Sequence, residues 1–211
     1  MLLKMLSEAD KRHFLDLADL LIMADKPLLW EGKTSEELTS STDLEALTIE
    51  KSEQDRELMA ELEQSAGMQR GGGTLSAGLS LPQIMMQKRK NSFGFTPDDN
   101  RSDVMNRLVD ALKTYPFIKM ERPEIRVQAA LTVLLELLEG KKHDLISTPR
   151  VILFELLLVA LRDGRITSTE LALLKEFQRY HKLEDFTYDD LLERAEVLNQ
   201  EISKTISIIL E

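Results

Sequence analysis

A chain of 211 residues with 43% apolar side chains can form one large domain or two small ones, with enough hydrophobic content for a packed core. It has no cysteine, which excludes disulfides, thiolate metal sites and cysteine nucleophiles. Its formal net charge of −10 repels phosphate backbones, so no nucleic-acid partner is expected.

From the N-terminus the code is helical. The sequence Met1-Leu2-Leu3-Lys4-Met5-Leu6-Ser7-Glu8 turns acidic before an apolar stretch of leader length develops. Ser7 is placed to cap a helix whose first turn carries Glu8 and Asp10, and Phe14, Leu15, Leu17, Ala18, Leu21, Ile22 and Ala24 recur every three or four residues. Asp25-Lys26-Pro27 stops it, because Pro27 disfavours helical geometry at Lys26. A loop through Trp30 and Gly32 follows, then a short turn capped by Thr34 to Glu37. Residues 43–65 read as a second, acidic helix anchored by Leu44, Leu47, Leu58 and Leu62.

The texture changes at residues 66–95. Glycines punctuate the start, Leu79 to Met86 is apolar and includes Ile84 and Met85, and Lys88-Arg89-Lys90 is basic. The segment reads as a flexible apolar and basic insertion in a single helical domain spanning 1–211. Beyond it, Thr96-Pro97-Asp98-Asp99 opens a helix through Val104, Leu108 and Leu112 that breaks at Tyr115-Pro116. Pro123 starts the next, which stops at Gly140, and Thr148-Pro149 repeats the cap-and-proline device. Residues 151–161 are apolar on all sides except at Glu155, which suits the centre of a bundle. The run is about half the ~20 residues that a membrane crossing needs. Gly164 then turns the chain, Thr167 to Glu170 forms a capping box, and the following helix is expected to bury Leu171, Leu174, Phe177 and Tyr180. A last helix starts near Thr187 and carries Leu191, Leu192, Ala195, Leu198, Ile202, Ile206 and Ile209. The fold class is all-α: a helical bundle of two pseudo-repeated hairpins around central helices, with Asp25 the counterpart of Asp163.

Two stretches carry a resemblance. Leu6 to Leu21 and, more closely, Phe154 to Glu170, with its Asp163-Gly164-Arg165-Ile166-Thr167-Ser168-Thr169-Glu170 turn, resemble the tellurite-resistance TerB-like family. The likeness covers about the first thirty and last sixty residues. It implies an all-helical, internally pseudo-symmetric fold, a link to bacterial stress response, and acidic residues at the two turns that bind a metal. The first turn departs from the family pattern, since Asp25-Lys26-Pro27 has no glycine and no acid close behind it.

The second turn also resembles the latter half of a calcium-binding EF-hand loop, but the first and third ligand positions would fall on Val159 and Leu161, which excludes one. Two readings stay open: a helix cap alone, or a weak calcium or magnesium site using Asp163 and Glu170 with Asp25. His13, His143 and His181 lie on three separate helix ends or faces without zinc-ligand spacing and read as surface or capping residues. The adjacent acids Glu184-Asp185 and Asp189-Asp190 fit helix starts. No nucleophile elbow, phosphate loop or dinucleotide fingerprint occurs, so no enzyme is expected. The expected function is that of a cytoplasmic, non-catalytic interaction or scaffold protein with protein partners, self-association left open. The alternative is a membrane-surface protein in which Ile84 and Met85 insert beside Lys88, Arg89 and Lys90.

Overall fold

Seven α-helices and one small sheet make up the described residues of the computed structural model, 2–68, 103–143 and 145–210. The helices are α1 (Glu8–Met23), α2 (Glu53–Ala66), α3 (Asp103–Lys113), α4 (Pro123–Leu138), α5 (Thr148–Ala160), α6 (Ser168–Tyr180) and α7 (Asp185–Leu210). The strands are β1 (Leu28–Trp30) and β2 (Leu47–Ile49). The chain is an all-α helical bundle, as its periodicity predicts.

Local chemistry sets the ends of these helices. The Ser7 hydroxyl accepts the Asp10 amide at 3.2 Å and starts α1. Pro123 occupies the first turn of α4, and Gly140, with φ +69°, lies just past its end. For α5 the cap position is Ser147 rather than Thr148, and neither side chain makes a capping hydrogen bond; the early proline alone marks the start.

Helices α1 and α5 are central because their apolar residues cover most of the circumference. Phe14, Leu17, Ala18, Leu20 and Leu21 of α1 are buried, as are Ile152, Leu153, Leu156 and Leu157 of α5. Each large side chain so buried contributes roughly 1.5–3 kcal/mol before entropy is counted. Helix α1 packs on α5 and also touches α2, α3 and α4, while α5 packs on α6 and α7 and α4 on α3 and α6. One continuous apolar cluster runs from Leu3 to Ala195.

The structure corrects the sequence reading at three places. Residues 43–65 are not one helix: Leu47-Thr48-Ile49 pairs antiparallel with Leu28-Leu29-Trp30, and α2 begins only after the Ser52 capping box. The pairing buries Leu28, Trp30, Leu47 and Ile49 on one face and leaves Leu44 exposed. Trp30 also meets Phe117 edge-on, centroids 5.0 Å apart. In α6 Leu173 is buried beside Leu174 and Phe177, whereas Leu171 and Tyr180 are exposed. In α7 only Tyr188 and Ala195 are fully buried, and the second half of the helix stands clear of the bundle. No helix among the described residues is long and apolar enough to cross a membrane.

Candidate functional site

The end of α1 and the start of α6 meet, although they are 142 residues apart at their point of contact. Arg126 from α4 fixes the first partner. Its buried guanidinium donates to the carbonyls of Met23 at 3.1 Å, Ala24 at 2.8 Å and Lys26 at 2.8 Å, and Met23 also accepts the Lys26 amide at 3.2 Å. Asp25 is thereby held at the mouth of the turn, where its carboxylate accepts the Thr167 hydroxyl. Thr167 is also the cap of α6: its oxygen accepts the Glu170 amide at 3.2 Å, and its own amide donates to the Glu170 carboxylate at 2.8 Å.

Three carboxylates thus share one end of the bundle. Burial raises the Glu170 carboxyl above the usual range; the Thr167 hydrogen bonds oppose that rise, and the charges of Asp25 and Asp163 add to it. Beside them is a cleft of about 400 Å³ whose polar lining includes Lys26, Asp55, Arg162, Asp163 and Glu170. Lys26 is engaged by Asp55 at 2.9 Å. Val159 and Leu161, the two positions that disqualify an EF-hand, are buried in the core. Among the described residues no three histidine or acidic side chains stand in ready metal-holding geometry, this trio included. The structure therefore brings Asp25, Asp163 and Glu170 to one locality, with Asp25 and Glu170 already committed to Thr167. Ile84, Met85, Lys88, Arg89 and Lys90 lie outside the described residues.

The histidines are where the structure departs furthest from the sequence reading. They are not scattered. His13 on α1, His143 in the α4–α5 connection and His181 at the end of α6 form one cluster. The ring centroids of His13 and His143 lie 6.0 Å apart, and those of His143 and His181 lie 5.0 Å apart. His13 is only 2% exposed, so it is a core residue rather than a surface or capping one. His181 does cap α6, but it packs against Phe177 at 4.5 Å and Tyr180 at 5.2 Å. Asp10 accepts from or donates to His143 Nδ1 at 2.7 Å, the direction depending on which of the two carries the proton.

Burial pushes the His13 imidazole down to about 4, assisted by the positive charges of Lys141, His143 and His181 and opposed by Asp10. Burial likewise takes His181 down to about 4, with His143 adding to it. Burial disfavours the Asp10 carboxylate, but hydrogen bonds from Ser7 and His143 outweigh it and leave its carboxyl below the usual range. Both ring nitrogens of His13 and the Nε2 atoms of His143 and His181 are buried with no hydrogen-bond partner. A sequence signal for this existed. His13 sits four residues before Leu17 and His181 four after Phe177, so both fall on the buried stripes of their helices.

Compared with family models, with curated proteins and with solved structures, the chain matches none.

Proposed function

We propose that this chain is a non-catalytic interaction protein of TerB-like type, serving a stress response, that presents the projecting half of α7 to a partner helix. The observation that carries the reading is the seam along α7. Tyr188, Leu191, Ala195, Leu198, Ile202, Thr205 and Ile209 follow alternating steps of three and four, the repeat of a two-helix seam. The first half of that seam is used against the bundle, where Tyr188 and Ala195 are buried. Asn199 makes a last tie, donating to the Leu161 carbonyl at 2.9 Å. From Gln200 to Leu210 every residue is exposed, with Ile202 at 49%, Ile206 at 50% and Ile209 at 75%. An apolar stripe roughly 16 Å long, held out by a stable helix, fits a contact with protein.

A second copy of this chain offers the matching stripe, and the test uses it. Sedimentation velocity across the micromolar range is expected to show dimers in the wild type and monomers in Ile202→Glu/Ile209→Glu, with unchanged helical circular dichroism. Monomers at every concentration, with no cross-link between two copies through position 206, would remove the helix-pairing reading. The TerB-like and stress-response parts rest on the resemblance at the two turns, and the non-catalytic part on the missing catalytic motifs.

A weak divalent cation is the second reading, favoured by the mutual repulsion of Asp25, Asp163 and Glu170 at the turn. Calcium or magnesium would relieve that crowding once Asp25 releases Thr167. Calorimetry with calcium, magnesium and manganese is expected to show millimolar heat that Asp163→Ala abolishes. Heat that persists in the variant would place the ion elsewhere.

A further inference from the structure

We propose that the α4–α5 connection is a strap released by acid, pinned to α1 by His143 and covering the rings of His13 and His181. Of the described residues between Leu138 and Thr148, His143 is the only one that is not exposed. Leu145 and Ile146, the two large apolar side chains of the connection, are 58% and 94% exposed and hold it to nothing. The pin is the 2.7 Å contact between His143 Nδ1 and Asp10 in the first turn of α1. What lies beneath is fixed by other means: α1 by Phe14, Leu17 and Leu21, and α6 by Leu173, Leu174, Phe177 and its Thr167 cap. The connection is therefore the piece that can lift at least cost, by local opening of the fold.

Lifting the strap changes the proton affinity of what it covers. Both ring nitrogens of His13 and Nε2 of His181 are buried without partners, so neither ring has an acceptor for a second proton while the strap is down. The charges acting on His13 come from three elements: Asp10 on α1, Lys141 and His143 in the connection, and His181 at the end of α6. The charge acting on His181 is His143. Lys141 and His143 thus belong to the strap itself, and their repulsion leaves with it. Closed, the two rings titrate at about 4; in water an imidazole titrates near 6.5. The open form binds more protons between those values, so opening is favoured as pH falls below about 6.5 and is proton-neutral above it. Each ring that opening solvates raises the opening constant about 30-fold from pH 7.5 to 5.0. The low-titrating Asp10 carboxyl stays ionised across that interval in both forms and does not offset the rise. The device is independent of the α7 reading.

Amide hydrogen exchange of the full-length protein at pH 7.5 and 5.0, followed by NMR and corrected for intrinsic rates, tests the strap. The reporters are the amides of Lys141 and Thr148, which donate to Leu138 and Leu145 at 3.2 and 3.1 Å at the two ends of the connection. Amides in the middle of α5 report global unfolding. The reporters are expected to open more often than α5 at both pH values, and their opening constants to rise about 30-fold or more on going to pH 5.0. His13→Leu is expected to remove about 30-fold of that rise. Reporters that open only as often as α5, or that rise less than about tenfold, would overturn the strap and leave the histidines as static core packing. The wild-type measurement decides even if the variant does not fold.

Discussion

Acid should unfold this protein from its histidine cluster outward, and His13 sets the size of the effect. In the unfolded chain a histidine titrates near 6.5, while in the fold burial takes His13 down to about 4. Between those values the unfolded state binds more protons than the folded one, so stability rises with pH across that window. The contribution is fully present above about 6.5 and is lost as pH falls towards 4. At 1.36 kcal/mol per unit the loss from His13 alone is about 3 kcal/mol, a large share of the ~5–15 kcal/mol typical of a domain. His181 shifts the same way and adds to it. Asp10 is the one negative charge facing the cluster in the ring contacts and hydrogen bonds described, so it balances one imidazolium and not two. Urea unfolding at neutral pH and at steps down to about pH 4, with EDTA throughout, measures the slope. His13→Leu, close in volume, is the comparison. The wild type should lose about 3 kcal/mol more than the variant over that interval. Equal losses in the two proteins would mean that His13 is solvated in the fold and that the burial argument is wrong.

Three further substitutions probe the opposite end of α1. Thr167→Ala removes the cap of α6 and the partner of Asp25 together and should cost about 1–2 kcal/mol in chemical denaturation, with Thr167→Ser recovering most of it. Arg126→Met takes the donor from the Ala24 and Lys26 carbonyls and should cost about 3 kcal/mol, and Arg126→Lys should rescue little because an ammonium lacks the fork that reaches several carbonyls. Gly164→Ala meets no atom within 4 Å but must adopt φ +82°, so its cost should be the backbone term alone, about 1 kcal/mol, read as a lowered melting temperature.

Much of the bundle is legible because helix signals are local. Ser7, Pro123, Gly140 and the Thr167–Glu170 box act within four residues of themselves, and each marks an end where the structure has one. The sheet was hidden because three residues per strand make one and a half alternations, too few to outweigh the helical periodicity of the surrounding acidic stretch. What makes Leu47-Thr48-Ile49 a strand is Leu28-Leu29-Trp30 opposite it, a tertiary fact. The projecting half of α7 misled in the other direction. Its stripe repeats like a buried one, but past Asn199 the helix makes no buried contact with the described residues.

The two ends of α1 show why a site is harder to read than a fold. At its C-terminal end Asp25 could be paired with Asp163 from sequence, because the two turns echo one another. At its N-terminal end no motif links His13 to His143 and His181, since their spacings of 130 and 38 residues belong to no ligand pattern. The usable signal was conflict rather than pattern. A polar ring on the apolar face of α1 and another on that of α6 have to be satisfied by something once both faces are buried. Helix α6 runs opposite to α1, its start at Asp25 and its end beside His143, so two such conflicts far apart in the chain resolve at one spot. Asp10 satisfies one nitrogen of one ring, and four remain buried without a partner. At the carboxylate turn the hydrogen bonds to Thr167 already occupy Asp25 and Glu170. The unmet hydrogen-bonding demand is therefore greater at the histidines than at the acidic turn that the sequence first picked out.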